Sequence, residues 1–567
     1  MNQWRTIAVF FFLFAFGVGI VARLAQLQIF NYGFYKALAQ GQHNFTATDT
    51  GERGTIYATD KDGALYPLAT NRRVAFAFAT PPEIQDVEAT ATELSRVLSL
   101  PVQEVAEKLR AKETLYRALK EEITSEEEEE LSRLALPGIY TRSKSVRWYP
   151  ERTMAAHLVG FVNKDNEGQY GVEEYYNDSL KGREGLMKNT KNPAIYLLFG
   201  QADTAQDGSD IVLTIDRNIQ AEAERLLAKA KDSLGIAQGN IIVMEPATGN
   251  ILAMANLPSF DPNAYGKVAN VGTFQNGSVQ KIFEPGSIFK PITMASALDT
   301  GGITPETTYT DTGIIKINNS KIYNYGQRSY GEQTMKDVLA FSINTGAVFA
   351  ERQAGHESFL AYLERFGLFE PTRIDLPGEA RSPNEELKRG REINYATASF
   401  GQGVEATPIQ MIRAFSAFAN NGVLASPTIR SADNSAKAAQ TPILSEKTVG
   451  NIVEMLVGVV ERGFGKAAKI PGYYTAGKTG TAQVAWSSLG KDKAGYSDET
   501  IQSFIGFAPA YNPRFLMMVK LDNPPTKTAE YSAIPIFREL QITRFLPITI
   551  QRARSPHNSS TRRKDMV

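Results

Sequence analysis

The run of apolar and polar positions divides the chain into an anchor-like start, a mixed middle and a long periodic C-terminal part. From Thr6 to Ala22 no residue is charged. Wound as a helix, this run spans roughly 25 Å, slightly short of a hydrocarbon core of about 30 Å. Leu24 to Phe30 stays largely apolar, and Arg23 can snorkel, so a tilted or extended span is feasible. The pattern predicts a cytoplasmic tip at residues 1–6 and a transmembrane anchor at 7–29. A cleaved signal peptide is the rival, with Gly17-Val18-Gly19 as a small-x-small site. The apolar run continues through Ile20-Val21-Ala22, however, where a cleavage region turns polar. Arg5 and the terminal amine favour a cytoplasmic N-terminus, with Arg23 pulling the other way. The remaining chain would then lie outside the cytoplasm.

Residues 30–205 read as a mixed pedestal module. Gly51-Glu-Arg53-Gly54-Thr-Ile56-Tyr57 reads as a turn entering a strand, and Lys61-Asp62-Gly63 as a hairpin turn. Thr92 to Leu98 and Val102 to Leu109 have helical periodicity. Glu121 to Leu134, with its run Glu126 to Glu130, reads as an acidic helix capped by Ser125, its charges on a solvated face.

A polar stretch from Gln201 to Ser209 marks a boundary, and residues 206–548 form the next unit. Ile211 to Thr214 alternates as a strand, and Asp216 or Asn218 starts an amphipathic helix from Ile219 to Leu234. Asn240 to Met244 and Asn250 to Ala255 are apolar strands around Pro246-Ala-Thr-Gly249. A second pair, Gln502 to Ala508 and Arg514 to Leu521, lies far downstream. Strands at both ends with helices between them predict an α+β domain, its antiparallel sheet assembled from distant segments. The tail at 549–567 is polar and basic, with the composition of a disordered segment.

Composition narrows the chemistry. At 567 residues the chain is too long for one ordinary core. With 61 basic and 61 acidic residues the net charge is zero, so no nucleic-acid partner is expected. There is no cysteine, which excludes disulfides and thiol nucleophiles. The four histidines are scattered and form no His-Glu-x-x-His pattern, so no zinc site is expected. His157, within Ala155-Ala156-His157-Leu158-Val159, reads as a packed histidine rather than a base.

Three short patterns carry chemistry. In Phe283-Glu-Pro-Gly286-Ser287-Ile-Phe-Lys290-Pro291 a Pro-Gly break precedes a serine, with a lysine three residues on. In a helix starting here the two share one face. A lysine kept neutral by burial or by another cation can take a serine's proton. Ser-x-x-Lys also occurs at Ser278/Lys281 and Ser488/Lys491, so spacing alone does not single out Ser287. Neither of the other two combines a Pro-Gly break with a following apolar helix like Pro291 to Leu298. Ser342-Ile-Asn344 could point two polar side chains into one cleft, although Ser382-Pro-Asn384 matches it and turn capping is an equal reading. Ala476-Gly-Lys478-Thr479-Gly480-Thr481-Ala482 is unique, and its small residues suit an edge strand lying close to a ligand. Without a Gly-x-x-x-x-Gly-Lys-Ser/Thr loop a nucleotide reading fails.

In that order, Ser287-x-x-Lys290, Ser342-x-Asn344 and Lys478-Thr479-Gly480 resemble the signature of penicillin-binding proteins and serine β-lactamases. The wider chain resembles a class B, monofunctional penicillin-binding protein, and Phe283-Glu-Pro-Gly and the Ala508 to Pro525 region resemble its septal form. Gly51-Glu-Arg53-Gly54, Arg147-Trp-Tyr149-Pro150, His157-Leu-Val-Gly160 and Gly171-Val-Glu173 resemble pedestal (dimerisation-like) motifs. Thr214-Ile-Asp216, Gly401-Gln-Gly403 and Thr407-Pro408 resemble transpeptidase landmarks. Ile288 stands where the family often has Thr or Ser.

The resemblance implies that Ser287 is acylated by the D-Ala-D-Ala end of a peptidoglycan stem peptide and Lys290 is its base. It further implies that Ser342 relays the proton, Asn344 holds the donor peptide, and Lys478, Thr479, Gly480 and Thr481 line the carboxylate site. No metal or cofactor is implied. The implied partners are stem peptides, β-lactams as inhibitors, a polytopic membrane glycosyltransferase and other divisome or elongasome proteins. The alternatives are side-wall synthesis, a D,D-carboxypeptidase or β-lactamase, and a non-catalytic penicillin sensor or divisome scaffold. The long pedestal and anchor weigh against a secreted hydrolase.

Overall fold

The computed structural model describes residues 11–18, 20, 23, 49–185, 205–431, 442–493 and 495–545. Residues 11–18 are helical, but most of the anchor expected at 7–29 lies outside the described residues, as does the tail expected at 549–567. Among the described residues no helix is long and apolar enough to cross a membrane.

Two compact units form, from the described parts of Met1–Gly54, Thr70–Trp148 and Lys181–Ser209, and of Thr55–Ala69, Tyr149–Leu180 and Asp210–Val567. They interleave in sequence, where one division near residue 205 was expected. The reason is pairing and packing. Strand Ile56–Thr59 pairs in parallel with Ile211–Asp216, and Leu158, Val159, Phe161 and Val172 join the larger core of the second unit.

In the first unit, residues 70–79 of the strand Leu65–Ala79 pair with Arg117–Ile123 and Ile139–Trp148. Helices Val87–Leu98, Val102–Arg110 and Ser125–Leu134 bury Leu94, Leu98, Val105, Leu109 and Leu131 against them. The acidic helix starts later than expected. Glu121–Ile123 belongs to a strand because Leu119 and Ile123 are buried. Thr124, not Ser125, caps the helix, in a reciprocal capping box with Glu127.

In the second unit the elements that position the site are, in chain order, β1 (Ile211–Asp216), α1 (Arg217–Leu234), β2 (Gln238–Met244), β3 (Ile251–Leu257), α2 (Lys290–Asp299), β4 (Thr308–Asp311), β5 (Ile314–Ile317), β6 (Ser320–Tyr323), β7 (Gly331–Thr334), α3 (Met335–Ala340), α4 (Asn344–Ala354), α5 (Pro408–Ala419), α6 (Glu446–Arg462), β8 (Ala476–Ala485), β9 (Tyr496–Ala508), β10 (Phe515–Asp522) and α7 (Ala533–Leu540). The main sheet is antiparallel, in the order β3-β2-β10-β9-β8. Its strands do come from distant segments, and β8 lies at one edge, as the small residues around Lys478 predicted.

Both faces of the sheet are covered, so its strands are apolar on both sides. Ile241 and Val243 pack with Leu226, Leu227 and Phe537 of α1 and α7. Ile242 and Met244 face the opposite way, into a core with Ile292 and Met294 of α2, Ile412 of α5 and Leu456 of α6. Asp216 caps α1, accepting from the backbone N–H groups of Asn218 and Ile219.

Candidate active site

The site begins at a glycine that no other residue can replace. Gly286 has φ +58°, and a Cβ on it would meet the Cβ of Ala482 on β8 at 2.8 Å. Its N–H donates to the Gly401 carbonyl at 2.9 Å, and a Cβ on Gly401 would sit 2.1 Å from the Gly286 oxygen. The backbone before the serine is thus wedged between an edge strand and a loop, where only glycines fit. A 3-10 turn, Gly286–Phe289, then runs into α2, so Ser287 and Lys290 share a face.

Lys290 has no exposed surface. Its Nζ lies 3.1 Å from Ser287 Oγ, 2.5 Å from the Ser342 carbonyl oxygen, 3.2 Å from Ser342 Oγ and 2.8 Å from Asn344 Oδ1. No carboxylate is among these neighbours. Burial, and secondarily the charge of Lys478, push its pKa well below the usual lysine range.

Ser342 joins α3 to α4 with φ +56°, a left-handed conformation costing roughly 1–3 kcal/mol for a residue with a side chain. That conformation turns both the carbonyl and the hydroxyl of one residue toward the Lys290 amine. Asn344, the first residue of α4, accepts from Lys290 through Oδ1 and donates from Nδ2 to the Tyr323 carbonyl at 2.9 Å.

Lys478 comes from β8 and is equally buried. Its Nζ donates to Ser342 Oγ at 2.9 Å and to the Thr479 carbonyl at 3.1 Å. Burial lowers its pKa to about 7. Gly480 follows, where a Cβ would lie 2.5 Å from Ser503 Oγ and 3.0 Å from Ile288 Cγ2, so its lack of a side chain lets β8 lie against the serine turn. Thr479 is buried and Thr481 half-buried. Ser287, Lys290, Ser342, Asn344 and Lys478 are therefore brought together by short contacts, with Thr479, Gly480 and Thr481 in register along the flanking strand.

The competing matches separate. Ser278 Oγ donates to Asn256, while Lys281 donates to Gln238. Lys491 lies over the Trp486 ring at 4.6 Å. Ser382 and Asn384 bind Glu405. His157 is buried, 2.8 Å from the Thr273 carbonyl, with its pKa lowered to about 4 mainly by burial, as expected of a packed histidine.

Residues 239–541 match the penicillin binding protein transpeptidase domain, and residues 48–213 match the penicillin-binding protein dimerisation domain. The chain belongs to the penicillin-binding protein transpeptidase family. A dimerisation domain ahead of the transpeptidase domain is the organisation of its class B members, and Ser287 to Thr481 lies wholly within the transpeptidase match. Among relatives, Stage V sporulation protein D of Bacillus subtilis is 33% identical over 83% of this chain and 74% of its own length. Peptidoglycan D,D-transpeptidase FtsI of Escherichia coli is 30% identical over 83% and 79%. Penicillin Binding Protein 2X from Streptococcus thermophilus has the same fold, with a TM-score of 0.70 over 87% of this chain and 80% of that one, at 23% identity.

Two further parts of this penicillin-binding protein were not legible as site components. Glu284 lies three residues before Ser287 and is largely buried. It accepts from the Gly403 N–H at 3.2 Å and the Tyr496 hydroxyl at 3.4 Å through one oxygen, and the other oxygen has no partner. Burial raises its pKa to about 7, with the nearby Glu405 charge adding to the effect. The end of β6 also holds Asn344, through the Tyr323 carbonyl and, just beyond the strand, the Asn324 Oδ1. Neither carries a local motif, because both depend on contacts across tens of residues.

Proposed function

We propose that this class B penicillin-binding protein is a peptidoglycan D,D-transpeptidase of the septal type, cross-linking stem peptides through an acyl-enzyme on Ser287. The observation that carries this is the buried Lys290 amine, 3.1 Å from Ser287 Oγ with no carboxylate among its hydrogen-bond partners in the described residues. A neutral amine has two N–H groups and one lone pair. The Ser342 carbonyl and Asn344 Oδ1 take the two hydrogens, which leaves the lone pair for the Ser287 hydroxyl.

The chemistry then balances without further reactants. Ser287 Oγ bonds to the penultimate D-Ala carbonyl carbon as its proton passes to Lys290. The C–N bond breaks, and the terminal D-Ala nitrogen receives that proton through the Ser342 hydroxyl, which touches both lysines. An amine from a second stem peptide attacks the ester, its proton returns to Ser287, and a cross-link remains. Backbone N–H groups of Ser287 and Thr481 would stabilise the oxyanion, each worth about 3 kcal/mol. Lys478, Thr479 and Thr481 would bind the terminal carboxylate, across from the amide of Asn344. A β-lactam follows the first half of this path and stops at the ester.

An N-terminal membrane anchor, with the catalytic unit outside the cytoplasm, belongs to the same proposal. The helical residues 11–18 expose Phe11, Phe12, Leu13, Phe14 and Phe16, large apolar side chains that lipid would cover. Lipid-linked or nascent glycan would be supplied by a polytopic glycosyltransferase within a division assembly.

Labelled penicillin, followed by a donor–acceptor peptide assay, tests the reading. Wild type is expected to hold the label stably and to form cross-linked dimer, and Ser287→Ala to do neither. No label on wild type overturns the reading, and rapid release of the label by hydrolysis overturns the transpeptidase assignment in favour of a β-lactamase. A fluorescent fusion at the side wall instead of midcell overturns the septal assignment.

A further inference from the structure

Resting on that reading, we infer that Asp311 and Asn324 are positioning residues that set the Asn344 amide, and through it the Lys290 amine. Asp311 ends β4 and is 2% exposed. Among the described residues no lysine, arginine or histidine pairs with its carboxylate. It is instead filled by neutral donors: the Gly313 N–H at 3.0 Å, the Tyr330 N–H at 2.8 Å, the Thr345 hydroxyl at 2.6 Å and the Asn324 Nδ2 at 3.0 and 2.9 Å from its two oxygens. A buried carboxylate without a cation is costly unless its lone pairs are occupied, and these donors occupy them.

The donors fix the orientation of Asn324. With Nδ2 committed to Asp311 and to the Arg328 carbonyl at 3.0 Å, its oxygen must point the other way. There it accepts from the first two N–H groups of α4, those of Asn344 at 3.0 Å and Thr345 at 3.1 Å. These would otherwise be orphan donors, since α4 has no side-chain cap of its own. The neighbouring Tyr323 carbonyl takes the Asn344 Nδ2 at 2.9 Å. Two consecutive residues, at the end of β6 and just beyond it, thus hold the backbone and the side chain of Asn344 separately. The side-chain contact settles the amide flip: Oδ1 faces Lys290 at 2.8 Å and the NH2 faces away.

Thr345 closes the circuit. Its single proton goes to Asp311, so its oxygen accepts from the Tyr309 hydroxyl at 3.2 Å. Asp311, Asn324, Asn344 and Lys290 are linked in sequence by direct hydrogen bonds, and the hydrogen-bond partners of Lys290 are Ser287, Ser342 and Asn344. A scaffold that only stabilised the fold would not need to present the Asn344 oxygen to a buried amine. This arrangement does so by committing every other polar atom of Asn344 and Asn324.

The test measures benzylpenicillin acylation of the full chain in detergent by stopped flow, separating the non-covalent dissociation constant from the acylation rate constant, with a thermal melt for each variant. Asn324→Asp keeps the acceptor but sets two carboxylates against each other. It is expected to slow acylation about 10- to 100-fold with the dissociation constant little changed. The exchange Asp311→Asn with Asn324→Asp restores one amide and one carboxylate, now at a helix N-terminus, and is expected to recover most of that loss. A folded Asn324→Asp with the wild-type rate constant, or a loss confined to the dissociation constant, overturns the inference. Should Asn324→Asp not fold, Thr345→Val removes only the hydroxyl on Asp311; a slowed rate constant in a cooperatively melting protein supports the inference and an unchanged one overturns it. Failure of wild type to acylate would overturn the transpeptidase reading itself, an outcome distinct from normal acylation in the variants.

Discussion

Lys290 and Lys478, from a helix and an edge strand far apart in sequence, are both fully buried and meet at one oxygen, the Ser342 hydroxyl, at 3.2 and 2.9 Å. Two ammonium ions cannot comfortably share so small a dry volume. Burial acts on both, and the charge of Lys478 acts further on Lys290. The Lys290 amine is therefore held well below the usual lysine range.

The acylation rate constant is expected to rise with pH through a Lys290 ionisation well below the usual lysine range. In Lys478→Ala both the neighbouring charge and part of the burial are lost, and each loss raises the Lys290 pKa. The acidic limb of the rate profile should move to higher pH. A limb that stays put or moves down would show that Lys478 does not tune Lys290.

Binding of a carboxylate ligand should take up a proton. Lys478 has its pKa at about 7 in the free protein, so at pH 8 it is mostly neutral. A bound anion favours the ammonium and raises that pKa, drawing up to one proton from solution. Calorimetry in buffers of different ionisation heat reads the number directly. An uptake near zero at pH 8 would place the carboxylate elsewhere.

Glu284 predicts a stability change with a definite sign. Its folded pKa of about 7 lies above the ordinary glutamate value of 4.5, so the native state holds the proton longer than the unfolded chain. Stability from this group is present below pH 4.5 and is lost as pH rises to about 7. Glu284→Gln keeps the shape without the charge and should flatten that slope, gaining on the order of 2 kcal/mol over wild type at pH 8 and little at pH 4. Urea melts at the two pH values check it; an equal effect at both would contradict it.

Gly401→Ala should damage the site through the backbone. The residue has φ +84°, and the new Cβ would lie 2.1 Å from the Gly286 oxygen, one residue before the nucleophile. Gly490 also has positive φ, +68°, but nothing lies within 4 Å of where its Cβ would be. Its alanine variant should lose about 1 kcal/mol and keep its acylation rate, whereas Gly401→Ala should lose acylation as well as stability. Equal rates in the two variants would show that the Gly286–Gly401 contact does not set the nucleophile.

The fold and the contact residues differ in how far the sequence exposes them. The α+β arrangement was legible because its strands are apolar and α1 has a clear helical period, and β8 as an edge strand followed from its small residues. Eight site candidates could be named: four lie in two local motifs, a serine with its lysine on one turn and a serine with its asparagine across a tight bend, and four on the Lys478 strand, joined to them by the resemblance of the motif order. The acidic helix was drawn too long because glutamates fit a solvated helix and an exposed strand face equally, and only the burial of Leu119 and Ile123 decides between them. The interleaving of the two units was hidden because Ile56–Thr59 finds its partner, Ile211–Asp216, more than a hundred residues away. Asp311, Asn324 and Glu284 have no local signature for the same reason. An aspartate before Thr-Gly and an asparagine between two tyrosines look like ordinary turn residues until the chain brings them beside Asn344.

The central claim is that Lys290 is a neutral amine beside Ser287. NMR of the full chain with lysine labelled at Cε, the Lys290 resonance assigned by its loss in Lys290→Arg, tests it most directly. The expected resonance titrates well below the usual lysine range and is already that of a free amine in the pH range where penicillin acylates the protein. A Lys290 resonance that stays that of an ammonium throughout that range would contradict it.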